Sequence, residues 1–219
     1  MDRVLITEKM ILDARRRGEK KITIRGEALL TPSARDAVRQ FGIEIVTAGA
    51  EQHGPAMPAD AEKPSIRTSR GPVAIGADHG GFALKSVLVG HLHDLGFEVR
   101  DVGTFSTDAV DYPDYAEQVA LLVSRAEARA GIIVDGAGIG SCMAANKVPG
   151  VRAACCNDLY TAANSREHNG ANVLTLGSMV VGEGLAKKIV TLWLQTDFGG
   201  GRHKRRVDKI MAIEQKHNR

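Results

Sequence analysis

Over its last two thirds the chain alternates short β-rich runs with longer stretches of helical periodicity, and the alternation recurs five times. The β-rich runs are 73–75, 97–99, 131–134, 151–154 and 172–176. Helical patterns follow them over 82–95, 115–128, 139–147, 159–167 and 185–194. Parallel strands joined by crossover helices form a sheet that is covered on both faces. The pattern therefore predicts an α/β fold with a doubly wound, five-stranded parallel sheet of Rossmann-like type, which binds ligands beyond the carboxyl ends of its strands.

The chain of 219 residues divides by composition into three parts. Residues 50–70 hold three of the seven prolines and no aromatic residue, as is typical of a linker. They separate a small N-terminal module, residues 1–49, from the predicted α/β domain, residues 71–219. In the module we expect a small α+β appendage. Its predicted elements are a helix over 7–17, a strand over 21–24, a helix over 32–41 that Thr31 caps and Gly42 ends, and a strand over 43–46.

Composition excludes several classes of protein. The formal net charge of +3 is too small to favour nucleic acid, and the apolar runs are far shorter than the roughly 18 residues that a membrane helix needs. The three cysteines form neither a disulfide framework nor a Cys-x-x-Cys metal pair, and His91 and His93 face different ways on a helix. Cys142, in the first turn of a predicted helix, is a minor candidate for a nucleophile. We expect a cytoplasmic protein that binds neither nucleic acid nor membrane.

A glycine-rich loop, Asp135-Gly136-Ala137-Gly138-Ile139-Gly140-Ser141, follows the third β-rich run and opens a helix. Glycines there let backbone N–H groups point at an anion, and the helix N-terminus adds favourable charge. The G-x-G-x-G spacing differs from the dinucleotide motif, although Asp158 lies about 20 residues on, where that motif has a ribose-binding acid. A tight turn without a ligand is the other alternative. Asp135 favours a site, because a buried acid without a partner is destabilising.

Two further groups of residues point to an anionic ligand. Arg202 and Arg206 lie four apart on a predicted helix, where two guanidinium groups repel unless they share an anion such as a phosphate. A solvated basic helix or an RNA-touching patch is the alternative. His79 follows the first strand and His168 ends the fourth helix, and we expect both to lie near the same sheet edge.

The segment from Asp108 to Asp114 carries an acidic residue at every third position around Tyr112 and Pro113. This spacing favours helix capping over metal binding. We expect Asp114 to cap a helix that begins near Tyr115.

Five motifs together resemble one family. They are Gly76-Ala77-Asp78-His79-Gly80-Gly81-Phe82 with Leu84-Lys85, Asp111-Tyr112-Pro113-Asp114-Tyr115-Ala116, Gly136-x-Gly138-x-Gly140 with Ala144-Ala145-Asn146-Lys147, Ser165-Arg166-Glu167-His168-Asn169, and Gly201-Arg202-His203 with Arg206-Val207. In this order, from about Val73 to Glu214, they are similar to the type B ribose-5-phosphate isomerases, within a wider group that includes the galactose-6-phosphate isomerases of the lactose pathway. The resemblance implies interconversion of an aldose phosphate and a ketose phosphate without a metal or other cofactor. It also implies a homodimer, or a tetramer, whose active sites take residues from both subunits.

The same resemblance implies a site role for residues in each motif. The expected catalytic residues are Asp78, Asp135, His168 and Asn169. The expected substrate-binding residues are His79, Tyr112, Gly136, Ala137, Gly138, Ile139, Gly140, Ser141, Arg202 and Arg206. By the resemblance, both arginines and His79 grip the phosphate, and His168 assists ring opening. Asn169 and the amides of the glycine loop hold the enediolate oxygens.

Four positions depart from the family pattern. Asp135 stands where many members carry a catalytic cysteine, and Ser141 stands where others carry a glutamate. Ala137 replaces a frequent hydroxyl residue, and Met179 replaces an arginine that often contacts phosphate. Isomerisation needs a base that takes a proton from C2 and returns it to C1, and a desolvated carboxylate can do this. We therefore expect Asp135 to be the base in the interconversion of ribose 5-phosphate and ribulose 5-phosphate.

Alternatives stay open for both parts of the chain. The departures also fit a non-catalytic module that binds a sugar phosphate, and an isomerase of galactose or allose 6-phosphate is a further alternative. The N-terminal module resembles short modules on enzymes of bacterial microcompartments. That resemblance implies location inside such a compartment and a shell or cargo partner for residues 1–49, with an oligomerisation or regulatory appendage as the alternative.

Overall fold

The computed structural model describes residues 3–24, 26–47 and 71–217. The chain forms two compact units, Met1–Pro64 and Ser65–Arg219. The predicted linker over 50–70 lies outside the described residues. Among the helices that are described, none is both long enough and apolar enough to cross a membrane.

The N-terminal unit is a small α+β structure with its own apolar core. Its elements are β1 (Arg3–Ile6), α1 (Glu8–Arg16), β2 (Lys21–Ile24), β3 (Glu27–Leu30), α2 (Pro32–Phe41) and β4 (Glu44–Thr47). β1 pairs with β3 and β2 pairs with β4, each in a two-stranded parallel sheet. Ile6, Ile11 and Ala34 are fully buried in its core. The sequence patterns missed β1 and β3, which have four residues each and are too short to show a clear period.

Local signals explain where α2 begins and ends. The Thr31 side chain accepts a hydrogen bond from the Ala34 amide at 3.1 Å, and Pro32 occupies the first turn. Gly42 ends the helix in the left-handed conformation, with a φ of 62°, which glycine adopts without steric cost. The predicted start and stop of this helix are confirmed.

The second unit is the predicted doubly wound α/β structure. Its elements are β5 (Val73–Ala77), α3 (Phe82–Asp94), β6 (Val99–Asp101), α4 (Tyr112–Ser124), β7 (Ala130–Asp135), α5 (Ile139–Ala145), β8 (Ala153–Cys155), α6 (Leu159–Glu167), β9 (Val173–Gly177), α7 (Glu183–Gln195) and α8 (Gly201–His217). The five strands pair in the order β6-β5-β7-β9-β8, and every pair is parallel. The predicted five-stranded parallel sheet is confirmed.

The sheet is covered on both faces, and each face has its own core. On one face Ile75, Ile132 and Leu174 pack with residues of α3, α6 and α7, among them the fully buried Trp193. On the other face Ile133 packs with residues of α4 and α5. Burial on both faces explains why the central strands read as continuous apolar runs rather than as an alternating pattern.

The structure corrects the expected start of α4. The helix begins at Tyr112 rather than near Tyr115, so Asp111 occupies the N-cap position and makes no side-chain capping bond. Asp114 lies inside the first turn, where its charge faces the positive end of the helix dipole. Pro113 fixes this earlier start because its φ suits the first turn of a helix.

Candidate active site

The strand register places two acidic residues side by side at the carboxyl edge of the sheet. β5 and β7 are neighbours, with Ala77 opposite Val134, so the next residues along the two strands are Asp78 and Asp135. The Asp78 amide continues the pairing by donating to the Val134 carbonyl at 3.3 Å. Both acids are largely shielded from solvent, with 9% of Asp78 and 4% of Asp135 exposed. The carboxyl edge therefore presents a pair of buried carboxylates.

The carboxylate of Asp135 is turned into the glycine loop. Its Oδ1 accepts hydrogen bonds from the amides of Ala137, at 2.8 Å, and Gly138. Its Oδ2 accepts from the amide of Ser141 at 3.0 Å. The loop amides do point at an anion, as predicted, but that anion is the side chain of Asp135. Both oxygens of this carboxylate thus have main-chain partners.

Asp78 accepts fewer side-chain hydrogen bonds than Asp135, and it begins a turn in which only glycine fits at position 81. Its Oδ1 accepts a hydrogen bond from the Gly81 amide at 2.8 Å. A Cβ on Gly81 would lie 2.1 Å from the Val134 carbonyl oxygen, so any side chain at that position would push the turn off β7. The Ser178 hydroxyl donates to the Gly80 carbonyl at 2.8 Å and holds the turn from the side of β9.

Tyr112, at the start of α4, and His79, after β5, contact the main chain of neighbouring segments. A Cβ on Gly140 would lie 2.6 Å from Cζ of the Tyr112 ring, so the ring packs directly on the glycine backbone. The Nδ1 of His79 is 3.2 Å from the main chain of Val110, which fixes the imidazole beside the loop that precedes α4. Both residues are exposed; His79 directly follows Asp78, and Tyr112 contacts the loop that follows Asp135.

Two positions that the sequence patterns did not single out hold the glycine loop and the turn after Asp78 in place. The Thr175 hydroxyl, fully buried on β9, donates to the Gly138 carbonyl at 2.7 Å. Ser178 follows β9 and anchors the turn after Asp78, as described above. A hydroxyl residue near the carboxyl end of a parallel strand is the signal that could have found both, but it is common in strands that hold no ligand.

The remaining loop positions face different surroundings. Ser141 is fully buried, and its hydroxyl has no hydrogen-bond partner among the described residues. Ile139 and Ala137 are exposed. Met179 is 90% exposed, and its sulfur lies 3.7 Å from the position that a Cβ on Gly136 would take. Met179 therefore places an uncharged thioether at the mouth of the site, at the position where members of the family often carry an arginine.

Several exposed apolar side chains lie on the segments that follow the strands at this edge, and we call them the apolar rim. They are Phe105, Tyr112, Ile139, Met143, Met179 and Val180, each at least 39% exposed. Large exposed apolar side chains gathered at one edge are typical of surfaces that associate with a partner.

The thiols near the loop are poor candidates for a base. The Cys155 sulfur lies 3.7 Å from the Ala137 carbonyl oxygen, and burial raises its pKa. Burial also raises the pKa of Cys156 to about 11. Both therefore stay protonated at neutral pH. Cys142 donates to the Ala153 carbonyl at 3.4 Å, away from the paired acids.

Within a single chain, His168 and Asn169 lie at the opposite edge of the sheet from His79. α6 carries the chain back from the carboxyl end of β8 to the amino end of β9, so its last residues reach the amino edge of the sheet. There the Asn172 amide donates to the Arg152 carbonyl at 3.1 Å, between the beginnings of β9 and β8. The prediction that the two histidines share a sheet edge is wrong, because residues at the end of a crossover helix lie opposite to those at the end of a strand.

The amino-edge group is assembled by contacts between α6 and α8. The Gly199 amide donates to the Glu167 carbonyl at 2.8 Å, and the rings of His168 and His203 stack with centroids 4.1 Å apart. Arg202 lies next to His203, with its Nε 3.4 Å from the Nε2 of that ring. Arg206 follows one helical turn later and is exposed. The structure therefore brings His168, Arg202 and Arg206 together at the amino edge. Within one chain the arginines do not lie beside His79, with which the resemblance implied that they share the phosphate.

Arg166 has a structural role at this edge. Its guanidinium lies 4.6 Å from the Trp193 ring centroid and donates to the carbonyls of Ala171 and Thr196. Burial lowers its pKa to about 10. These contacts fix the end of α6, which places His168.

Comparisons with known proteins bear on the second unit. The family described as Ribose/Galactose Isomerase matches residues 73–210. The ribose-5-phosphate isomerase B of Escherichia coli (strain K12) is 51% identical over 146 residues, which cover 67% of this chain and 98% of that relative. The solved structure of Clostridium thermocellum ribose-5-phosphate isomerase B is 50% identical in sequence, with a TM-score of 0.66. The match covers 67% of this chain and 99% of the Clostridium thermocellum chain. That of Mycoplasma genitalium ribose-5-phosphate isomerase B with bound ribulose-5-phosphate is 44% identical, with a TM-score of 0.64, and covers 66% of this chain and 96% of its own.

The fold and the edge residues define the second unit as a doubly wound α/β domain with two buried acids at the carboxyl ends of neighbouring strands. The chain belongs to the ribose/galactose isomerase family. The resemblance that the five motifs predicted is confirmed.

The contacts of Asp135 give a testable prediction on stability. We expect Asp135→Asn to lower the free energy of unfolding by about 1–3 kcal/mol, because the amide places an N–H where an oxygen accepted a buried main-chain donor. Urea unfolding followed by the fluorescence of Trp193, the single tryptophan, measures this change. Asp94→Asn, at an exposed acid that ends α3, is the matched control. A loss for Asp135→Asn no larger than that of the control would contradict the assigned hydrogen bonds.

Proposed function

We propose that the chain is an aldose–ketose isomerase that interconverts ribose 5-phosphate and ribulose 5-phosphate through an enediolate. One observation carries the proposal: the chain spans 98% of the Escherichia coli ribose-5-phosphate isomerase B at 51% identity and places two buried acids side by side at the carboxyl edge of the sheet. Paired acids beside main-chain N–H donors supply what the reaction needs, a base and stabilisation for a developing oxyanion.

We propose that one of the two adjacent acids, Asp78 or Asp135, is the base of the proton transfer. Asp135 stands at the cysteine position of the resemblance, and its role as the base stays a prediction. The neighbouring thiols do not replace that cysteine, since burial raises the pKa of Cys155 and Cys156. Tyr112, His79 and the amides of the glycine loop border the same space and are proposed to bind the sugar.

We further propose that each active site is completed by a second copy of the chain. The paired acids lie at the carboxyl edge, whereas His168, Asn169, Arg202 and Arg206 lie at the amino edge of the same sheet. A pentose phosphate is much shorter than a strand-long separation, so one chain cannot apply both groups to one substrate. In a homodimer the amino edge of one subunit meets the apolar rim of its partner, which buries the rim and brings the arginines to the substrate phosphate.

A sugar-phosphate sensor is the second candidate function. The observation that favours it is that Asp135 occupies the amides of Ala137, Gly138 and Ser141, which leaves fewer loop donors for a ligand. Met179 at the mouth of the site also brings no charge for a phosphate. A sensor would bind the sugar phosphate without turning it over.

A coupled assay separates the two functions. We expect the full chain to convert ribose 5-phosphate to ribulose 5-phosphate in the presence of a metal chelator, because acids and amides supply the chemistry. Galactose 6-phosphate and allose 6-phosphate, assayed in parallel, identify the preferred sugar. Calorimetric binding of ribose 5-phosphate without turnover of any of the three sugars would overturn the isomerase and support the sensor.

We also propose that residues 1–49 attach the enzyme to a shell or cargo partner inside a bacterial microcompartment. The proposal is supported by the separate apolar core of the N-terminal unit, which is distinct from the two cores of the second unit. In a host that produces such shells, we expect the full chain to copurify with them and a chain without residues 1–49 to remain unbound. Equal recovery of both chains with the shells would contradict this role.

A further inference from the structure

We propose that Asp78, acting through its Oδ2, is the base that moves the proton between C2 and C1, and that Asp135 is a positioning residue that holds the glycine loop. This inference rests on the proposed isomerase function. It assigns the central proton transfer to one of the two adjacent acids and differs from the expectation that Asp135 is the base.

The hydrogen bonds of Asp135 leave it badly placed to act as a base. Its Oδ1 accepts from two amides and its Oδ2 from a third, and only 4% of the residue is exposed. A general base must direct a free lone pair at the C–H bond that it breaks. A carboxylate offers about four lone pairs, and three of those of Asp135 accept main-chain donors. The fourth is on an oxygen whose direction the Ser141 amide fixes, so turning the carboxylate toward a substrate would release donors that shape the loop and leave them buried without a partner, which is unfavourable.

Asp78 has the oxygen that Asp135 lacks. Its Oδ1 accepts one hydrogen bond, from the Gly81 amide, which fixes the direction of the carboxylate. Its Oδ2 accepts none from the described residues. Asp78 is also buried to 9% exposure, and the fixed turn around Gly80 and Gly81 limits its movement. One oxygen therefore anchors the group while the other stays available.

The space beside Gly80 shows where this available oxygen can work. A Cβ built on Gly80 would lie 3.4 Å from Oδ1 and 4.0 Å from Oδ2 of Asp78 and 3.9 Å from the Gly136 nitrogen, which are the nearest heavy atoms of the described residues apart from Gly80 and its two chain neighbours. The Gly136 amide donates no hydrogen bond within the described part of the chain. A substrate atom in this space can reach both a carboxylate and an amide donor, which is the arrangement that proton abstraction beside a carbonyl requires.

The reaction starts from open-chain ribose 5-phosphate and moves one proton from C2 to C1 and one from O2 to O1. Asp78 Oδ2 takes the proton from C2, the C–H electron pair forms the C1–C2 double bond, and the carbonyl pair moves to O1, which the Gly136 amide stabilises. The proton on O2 passes to O1 as the C2 carbonyl forms, and the C1–C2 electron pair takes the proton back from Asp78 at C1. The product is ribulose 5-phosphate, and Asp78 returns to its starting state.

Deuterium exchange with ribose 5-phosphate in deuterated water, followed by proton NMR, tests the assignment. We expect Asp78→Asn to lower kcat and the rate of deuterium incorporation by about 10²–10⁴-fold, the usual loss for a general base, with KM little changed. We expect Asp135→Asn to keep exchange within about tenfold of wild type, which is about 1.4 kcal/mol in the barrier. Asp94→Asn is the control at an exposed acid outside the site.

Rescue of activity by added formate distinguishes a lost base from a disturbed turn if Asp78→Asn changes the fold of that turn. We expect added formate to restore exchange to Asp78→Ala, because it supplies a carboxylate in the space left by the side chain, and to have no such effect on Asp135→Ala. Two results would overturn the assignment to Asp78 while the isomerase function stands, provided that wild type incorporates deuterium. In the first, only the Asp135 variants lose deuterium incorporation. In the second, formate restores deuterium incorporation only to Asp135→Ala. If wild type neither exchanges nor turns over any tested sugar phosphate, both are overturned.

Discussion

The direction of the chain in a parallel sheet is the constraint on which the rest of this molecule depends. Every strand of the second unit runs the same way, so strand ends collect at one edge and the ends of crossover helices collect at the other. Asp78 and Asp135 are strand-end residues, whereas His168 is a helix-end residue. A single chain therefore carries the acids and the His168 group on opposite edges, and we propose that two copies join them into one site.

Within the carboxyl-edge half, one carboxylate organises the loop that surrounds it. Asp135 accepts three main-chain hydrogen bonds, and Thr175 holds the same loop from β9. Charge-assisted hydrogen bonds to backbone amides are stronger than neutral ones, so this carboxylate stabilises one loop conformation. We propose that the neighbouring acids differ in role: Asp135 fixes the loop, whereas Asp78 has one oxygen that accepts no hydrogen bond from the described residues.

Much of the fold could be predicted from the sequence, because burial on both faces and glycine-rich turns leave clear local signals. The five strands of the sheet and the bounds of α2 and α6 follow from such signals. Two features were not predicted. The strands β1 and β3 were missed because four residues are too few to show a period. The start of α4 at Tyr112 was missed because the acidic spacing suggested a later cap than the one that Pro113 favours.

The candidate site was predicted in its residue types but not in its geometry. The motifs identified Asp135 and its glycine loop, yet the sequence could not show that the loop amides bind this side chain rather than a ligand. The separation of His79 from His168 was also missed, although the predicted parallel sheet implies it, because a crossover helix ends at the edge opposite to the strand ends. These contacts depend on tertiary structure, which local patterns do not encode.

Hybrid dimers test the two-copy site most directly. One tagged chain carries Asp78→Asn together with Asp135→Asn, and a differently tagged chain carries Arg206→Ala. Each variant alone is expected to be inactive, whereas a purified hybrid contains one site with every group intact and is expected to show about half of the wild-type activity. A hybrid no more active than its inactive parents would contradict the account.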